Sequence, residues 1–296
     1  MKILLTNDDG YLAPNIQNLY KRLSEDHEVW MIAPKGNCSG MSAAISFLKE
    51  IEIVKVDERI YSVDGTPADC TYFGLLGMVD FEFDMVVSGI NHGANIGNDV
   101  IYSGTVGAAV GGRKLKYPPI ALSVASYETK NINFIVNKTA EIINTVTNLP
   151  KEYSGKVINV NFPDLSEEEC KGIKITALAQ RGVPSKPVEV FSEKNTKRYR
   201  YNLSGEPIQE EHLTDAEAVK DGYISISVLD YGLDRVELRA LDANKIVKLG
   251  ASLKSGGYRS AASIISQLKV DSERRGETPN GHTLRTITDI CRSCRR

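Results

Sequence analysis

Long hydrophobic runs and a strong excess of one charge are missing from this sequence. No stretch approaches the roughly 20 apolar residues that a membrane-spanning helix needs. The chain begins with a single lysine before an apolar strand, without the basic start and cleavage site of a signal peptide. The formal net charge of −2 argues against nucleic acid as an obligatory partner and against an anionic membrane surface. These absences predict a globular protein that works without a membrane.

Cysteine and histidine are scarce as well. The five cysteines form an odd and scattered set: Cys38, Cys70, Cys170, Cys291 and Cys294. A disulfide framework is therefore not expected, and we predict a reduced, cytoplasmic protein. The pair at 291 and 294 has no second pair or histidines at metal-binding spacing, so we interpret it as incidental. With only four histidines, a zinc site of the usual composition is also not expected.

What the chain does contain is an alternation of strand and helix patterns. A length of 296 residues, 42% of them hydrophobic, suits one globular domain or one domain with an elaboration. Five short, nearly continuous apolar segments read as buried parallel strands: 2–6, 28–33, 84–88, 119–124 and 156–160. Helical periodicity lies between them, most clearly at 14–24 and 131–148. The pattern predicts an α/β fold with a doubly wound, mainly parallel sheet.

The second half of the chain departs from this pattern. Strand-like segments at 172–178 and 223–228 flank the polar stretch 181–210, which predicts a protruding hairpin or arm. After about residue 250 the chain holds nine Lys and Arg against four Asp and Glu. We therefore predict one domain over 1–248, followed by a basic, partly disordered tail at 249–296.

Oxygen-bearing side chains follow three of the predicted strands. Asp8 and Asp9 end the first, Ser39 lies in the loop after the second, and Asn91 follows the third. The carboxyl ends of parallel strands meet at one edge of the sheet, so these side chains are expected to lie together. Two adjacent carboxylates at a buried strand end repel each other and lose hydration. A divalent cation would compensate, and hard oxygen ligands suit Mg²⁺, Mn²⁺ or Ca²⁺.

A glycine-rich segment completes the predicted site. Residues 89–112 contain seven of the 24 glycines, and Ser103, Gly104 and Thr105 lead into a helix of small residues. Glycine lets backbone amides approach a ligand closely, and a helix start presents those amides to an anion. A hard metal ion beside such an anion site predicts phosphate-ester chemistry.

Taken together, these motifs resemble the survival protein SurE family. The motifs are "NDDG", the loop with Ser39, "GTPADC", "VVSGINHGANIGNDVIYSGTVGAA" and "QRG", in this order over roughly residues 1–248. The resemblance implies a metal-dependent acid phosphatase that hydrolyses nucleoside 5′- and 3′-monophosphates. It also implies one divalent cation per subunit, with Mg²⁺ or Mn²⁺ preferred. A homodimer or homotetramer built through the arm within 181–210 is implied as well.

The resemblance also assigns roles to individual residues. It matches Asp8, Asp9, Ser39 and Asn91 to the metal ligands, with the two aspartates and Asn91 as the catalytic set. It matches Asn95 and the Ser103–Gly104–Thr105 sequence to the phosphate-side loop. Two features depart from the family pattern. Cys38 stands where many members carry an arginine, and the tail at 249–296 has no counterpart.

Several alternatives accompany this interpretation. Paired aspartates after a first strand also occur in response-regulator receivers, although those are less than half this length and lack a glycine-rich cradle. The Asp8–Asp9 pair alone could be a capped turn. His92 could protonate a leaving group or be a surface residue. A nucleotide-binding module without catalysis is the second function class; phosphate release with and without EDTA would separate it from an enzyme.

Overall fold

The computed structural model describes residues 1–201, 205–208 and 210–231. Two segments of the predicted architecture, 232–248 and the tail at 249–296, lie outside the described residues. The strands are β1 (Lys2–Thr6), β2 (Glu28–Pro34), β3 (Ile53–Asp57), β4 (Ile60–Val63), β5 (Met85–His92), β6 (Ile120–Val124), β7 (Val157–Phe162), β8 (Ile173–Ile175), β9 (Val188–Glu193), β10 (Thr196–Arg200) and β11 (Ile224–Leu229). The helices are α1 (Pro14–Leu23), α2 (Pro67–Leu75), α3 (Gly104–Gly111), α4 (Ile132–Val146) and α5 (Asp215–Lys220).

Nine strands form one sheet in the order β3-β4-β2-β1-β5-β6-β7-β11-β8. The six strands from β4 to β7 in this order are mutually parallel. Antiparallel pairs occur between β3 and β4 and between β7 and β11. This confirms the predicted doubly wound, mainly parallel sheet.

Strand β1 is apolar along its length because helices cover both faces of the sheet. Ile3 and Leu5 belong to a core cluster that includes residues of α1 and α4. Leu4, between them, belongs to a second cluster that includes Cys70 of α2. Successive side chains of a strand point to opposite faces, so three apolar residues in a row need two covered faces.

None of the helices in the described part of the chain combines the length and apolar character that a membrane crossing requires.

The sequence "TPADC" at 66–70 predicts a helix start with Thr66 as the N-cap and Pro67 as the first helical residue, and α2 begins there. The Thr66 hydroxyl accepts a hydrogen bond from the Asp69 N–H, the Asp69 carboxylate accepts one from the Thr66 N–H, and Pro67 is the first helical residue. This reciprocal capping box satisfies two backbone donors that the first turn would otherwise leave unpaired. Because these contacts join residues that are close in the sequence, the start of this helix can be predicted from the sequence.

The polar stretch within 181–210 contains the predicted hairpin. Strands β9 and β10 pair antiparallel as a separate two-stranded sheet, with Lys194 in the turn at a φ of 45°. Nearly all of its side chains are exposed. The strand predicted at 172–178 is shorter in the structure, where β8 covers only Ile173–Ile175.

The order of the strands reverses beside β1. The chain passes from β1 to β2 on one side, and β5 later pairs with β1 on the other side. The carboxyl ends of β1 and β5 therefore flank a topological switch point, where open α/β sheets bind their ligands. Asp8 and Asp9 follow β1, and Asn91 lies near the end of β5.

Candidate metal and phosphate site

Asp8 is a buried carboxylate held by Thr105. Its relative exposure is 3%, and its Oδ1 accepts a hydrogen bond of 2.5 Å from the Thr105 hydroxyl. Burial raises the pKa of Asp8 from 3.8 to about 6; the Thr105 hydrogen bond opposes this shift, and the neighbouring Asp9 charge adds to it. The ionised form is therefore unfavourable in the protein alone, and a cation next to the carboxylate would favour it.

Asp9 lies between two loops at the same edge of the sheet. Its Oδ2 is 3.0 Å from His92 Nδ1 and accepts a second hydrogen bond of 3.2 Å from the His92 N–H. On the other side, Asn37 Nδ2 is 3.5 Å from Asp9 Oδ1. His92 thus lies beside the site, and its role in protonating a leaving group stays a prediction.

Asn91 reaches the site because β5 contains a bulge. The register between β5 and β6 shifts after Ser88, so that Gly89 and Ile90 together face one residue of β6, and Asn91 pairs with Ser123. The Asn91 side-chain amide donates a hydrogen bond of 2.7 Å to the Gly93 carbonyl, which leaves its Oδ1 for a ligand. Bulges next to active sites commonly redirect a side chain in this way. The sequence pattern ended this strand at 88, whereas β5 runs through the bulge to His92.

The loop that carries Ser39 is attached to the backbone of the aspartate pair. The Cys38 N–H donates a hydrogen bond of 2.7 Å to the Asp8 carbonyl. Gly10, with a φ of +103°, approaches Gly36 so closely that a Cβ on Gly10 would lie 3.2 Å from the Gly36 backbone. Ser39 is exposed in this loop. The structure therefore brings the Ser39 loop to the same edge as Asp8 and Asp9.

Helix α3 starts directly against Asp8. A Cβ on Gly104 would lie 2.9 Å from the Asp8 Cβ and 3.1 Å from its Oδ2, so only glycine allows this approach. The Ser103 hydroxyl caps the helix by accepting a hydrogen bond of 3.1 Å from the Val106 N–H. The helix N-terminus carries a partial positive charge, which stabilises the Asp8 carboxylate and any anion bound beside it.

Asn95 connects the glycine-rich loop to two neighbouring strands. Its amide nitrogen donates a hydrogen bond of 2.8 Å to the Ser123 hydroxyl of β6. Its backbone N–H donates to Asn161 Oδ1 of β7, and its carbonyl accepts from the side chains of Asn159 and Asn161. Asn95 therefore fixes the position of the loop and retains one side-chain N–H and its Oδ1 for a bound ligand.

Two contacts in this arrangement were not predicted from the sequence. The place of Thr105 at the phosphate stays a prediction, but the hydrogen bond from its hydroxyl to Asp8 was not foreseen. Asp215 was not singled out at all; it is fully buried and accepts hydrogen bonds of 2.8–2.9 Å from the N–H groups of Gly97, Ala179 and Ala216. A capping box formed by Thr214 and Glu217 marks the start of α5 in the sequence, but not the contact of Asp215 with the distant Gly97.

The donors at this edge fit a hard divalent cation better than zinc. Within the described ranges, no group of three or more His, Cys, Asp and Glu side chains could hold a metal ion. The side chains at this edge that could hold a cation are instead two carboxylates, the Asn91 amide oxygen and the Ser39 hydroxyl, an all-oxygen set of the kind that Mg²⁺ and Mn²⁺ prefer. The buried Asp8 beside Asp9 supplies the charge that such a cation would balance.

Comparisons with known proteins show the family to which this fold belongs. The family model described as "Survival protein SurE" matches residues 3–185. The 5′-nucleotidase SurE of Pseudoalteromonas atlantica is 38% identical over 229 residues, which cover 77% of this chain and 92% of the relative. The 5′-nucleotidase SurE of Marinomonas sp. is 38% identical over 246 residues, with 81% and 96% covered.

A solved structure supports the same relationship. The crystal structure of the SurE protein from Aquifex aeolicus is 34% identical in sequence, with a TM-score of 0.70, and the match covers 82% of this chain and 99% of that one. The residues that the family model matches, 3–185, include the aspartate pair, the Ser39 loop and the glycine-rich segment. The chain belongs to the survival protein SurE family.

Proposed function

We propose that this chain is a divalent-metal-dependent nucleotidase. It hydrolyses the phosphomonoester of nucleoside 5′-monophosphates, and of 3′-monophosphates as well, to nucleoside and phosphate. The observation that carries the proposal is the buried Asp8 carboxylate, placed beside Asp9 and against the start of α3. Two carboxylates at an anion site would repel a phosphate unless a cation lay between them. This favours catalysis over a module that only binds nucleotide.

The proposed metal ligands are Asp8, Asp9, Ser39 and Asn91. Of these, Asp8 is fixed by Thr105, Asp9 by His92, and Asn91 by the Gly93 carbonyl. When bound, Mg²⁺ or Mn²⁺ polarises the phosphoryl oxygens and lowers the pKa of a bound water. Three of the four proposed ligands thus have their orientation set by a second layer of hydrogen bonds.

The proposed phosphate contacts lie at the start of α3 and in the glycine-rich loop. Since the hydroxyls of Ser103 and Thr105 have partners within the protein, we assign the first phosphate contact to the Gly104 N–H, with both hydroxyls lining the site. Asn95 keeps the opposite side of the loop in place, and its side-chain amide has a second N–H that can donate to the phosphate. A water held on the aspartate side attacks phosphorus in line with the departing ribose oxygen.

Metal binding tests this ligand set without relying on turnover. We expect calorimetry to detect one Mn²⁺ per wild-type chain and at least tenfold weaker binding for Asp9→Asn, Ser39→Ala and Asn91→Ala. The matched control is Ser46→Ala, in the segment that continues the Ser39 loop, where the backbone N–H and not the hydroxyl contacts Asp69. Unchanged binding in all three ligand variants would refute the assignment.

We also propose a homodimer or homotetramer built through the arm within 181–210, in a reducing, cytoplasmic setting. Val188, Val190 and Tyr199 are each about half exposed on the β9–β10 hairpin, and apolar surface on a two-stranded sheet needs a partner to be buried. Cys38, Cys70 and Cys170 are all unpaired. Deletion of residues 184–204 should lower the sedimenting mass to that of a monomer; an unchanged mass would contradict the role of the arm.

A further inference from the structure

An exposed aromatic ring lies beside the candidate metal ligand Asn91. Tyr127 is 83% exposed. Its ring covers Gly93: a Cβ on Gly93 would lie 3.5 Å from Tyr127 Cε1 and 3.8 Å from the phenol oxygen. The Gly93 carbonyl is the group that holds the Asn91 amide. The ring therefore contacts the segment that orients a proposed ligand, while most of its surface remains open.

The turn that carries Tyr127 is fixed on both sides. The Gly93 N–H donates hydrogen bonds of 2.9 Å to the Val124 carbonyl and 3.1 Å to the Ser126 carbonyl. The Ser126 hydroxyl donates to the Glu128 carbonyl and accepts from the Glu128 N–H. A ring on such a turn loses little backbone freedom when a ligand packs against it, so binding carries a small entropic cost.

We propose that the ring of Tyr127 is the platform on which the nucleobase of the substrate stacks. The inference rests on the proposed nucleotidase activity and adds the residue that lets the site prefer nucleotides to smaller phosphate esters. With the phosphate bound beside the aspartates at the start of α3, the nucleoside must leave the site along the edge of the sheet. Tyr127 follows β6, which is the strand next to Asn91 at that edge. Stacking on an aromatic ring suits every base, because each has a flat π face.

Tyr102 is the rival platform. It is 66% exposed and precedes Gly104 by two residues. Its backbone is held by a hydrogen bond of 3.1 Å from the Ser42 N–H to its carbonyl. We favour Tyr127 because its ring itself contacts the segment around Asn91, whereas the contact of Tyr102 runs through its main chain.

Substrates with and without a base separate stacking from a structural effect. The variants are Tyr127→Ala, Tyr127→Phe and Tyr102→Ala. The control is Tyr153→Ala, which removes a partly exposed tyrosine that precedes β7 and so lies at the amino ends of the parallel strands, away from the site. We expect Tyr127→Ala to raise the KM for AMP at least tenfold, with kcat within threefold, and to weaken adenosine binding in calorimetry by the same factor. Its kinetics with ribose 5-phosphate should stay within twofold. Tyr127→Phe and the control should behave like the wild type.

Three outcomes would contradict the proposal that the nucleobase stacks on Tyr127. These are an equal loss on AMP and ribose 5-phosphate, unchanged AMP and adenosine binding in Tyr127→Ala, or an effect on AMP that appears in Tyr102→Ala instead. A wild-type protein that binds adenosine through Tyr127 but releases no phosphate from AMP would count against the nucleotidase proposal and not against the platform.

Discussion

The Thr105 hydroxyl donates a hydrogen bond of 2.5 Å to Asp8 Oδ1, although 97 residues separate the two along the chain. Both side chains are buried, so neither can exchange this partner for bulk water. Thr105 belongs to the first turn of α3, and Gly104, the first residue of this helix, also lies against the carboxylate. The ionised form of Asp8 thus depends on one hydroxyl and one helix start until a cation is bound.

Removal of this hydroxyl should weaken metal binding. We expect Thr105→Val to lower the affinity for Mn²⁺ about tenfold or more, because outer contacts to metal ligands commonly contribute factors of about 10 to 100. Thr105→Ser keeps the hydroxyl and should retain affinity within a few-fold. Calorimetric titration of the two variants measures the effect, and equal affinities would show that the hydrogen bond does not prepare Asp8 for the metal.

Loss of charge at the aspartate pair should abolish activity without unfolding the protein. Asp8→Asn and Asp9→Asn each remove one negative charge at nearly constant volume, so the α/β sheet should remain. We expect phosphate release from AMP to fall at least a hundredfold, or about 2.7 kcal/mol of barrier. Circular dichroism provides the control for folding. Turnover near the wild-type rate in both variants, at matched metal occupancy, would exclude the proposed mechanism.

The raised pKa of Asp8 predicts an unusual pH dependence in the metal-free protein. The folded-state pKa is about 6 and the unfolded value is 3.8, so the folded protein binds the proton more tightly. The destabilising charge is absent below about pH 4 and fully present above about pH 6, and stability falls as pH rises through this window. As the pH rises across this window, the free energy of unfolding of the wild type should decrease by about 3 kcal/mol relative to that of Asp8→Asn.

Chemical denaturation in EDTA at several pH values checks this dependence. Addition of Mg²⁺ or Mn²⁺ should remove most of the difference, because a bound cation favours the ionised carboxylate. A difference between wild type and Asp8→Asn that stays constant from pH 4 to pH 7 would show that burial does not shift this group.

Asp215 should contribute strongly to stability as the contact between α5 and the glycine-rich loop. Burial raises its pKa, and hydrogen bonds from the N–H groups of Gly97, Ala179 and Ala216 oppose that shift. Asp215→Ala leaves these donors without their acceptor, at a cost of about 1–3 kcal/mol for each one that stays buried. We expect a loss of at least about 3 kcal/mol in unfolding free energy, with Asp215→Asn less affected.

The matched control for Asp215 is Asp57→Ala. Asp57 is exposed on the edge strand β3, and its carboxylate contacts only the adjacent Glu58 N–H in the described part of the chain. Its loss should cost less than about 0.5 kcal/mol. Similar denaturation midpoints for Asp215→Ala and Asp57→Ala would contradict the structural role of Asp215.

The sequence predicted the features that local chemistry determines. Strand β1 with Asp8 and Asp9 at its end and the Thr66 capping box depend on neighbouring residues alone. The contacts of Asp8 with Thr105 and of Gly97 with Asp215 join positions 97 and 118 residues apart, so no local pattern encodes them. The bulge in β5 was missed for a similar reason: the register shift appears only when β6 pairs beside Asn91.

Phosphate release from AMP, measured on the full chain, tests whether this protein is a metal-dependent nucleotidase. We expect release in the presence of Mg²⁺ or Mn²⁺ and recovery when either cation is returned after EDTA treatment. EDTA itself should remove at least 95% of the rate, a change of about twentyfold. Asp8→Asn should stay inactive throughout. A rate that is equal with EDTA and with added cation, or no release under any of these conditions by the folded wild-type protein, would contradict a metal-dependent nucleotidase.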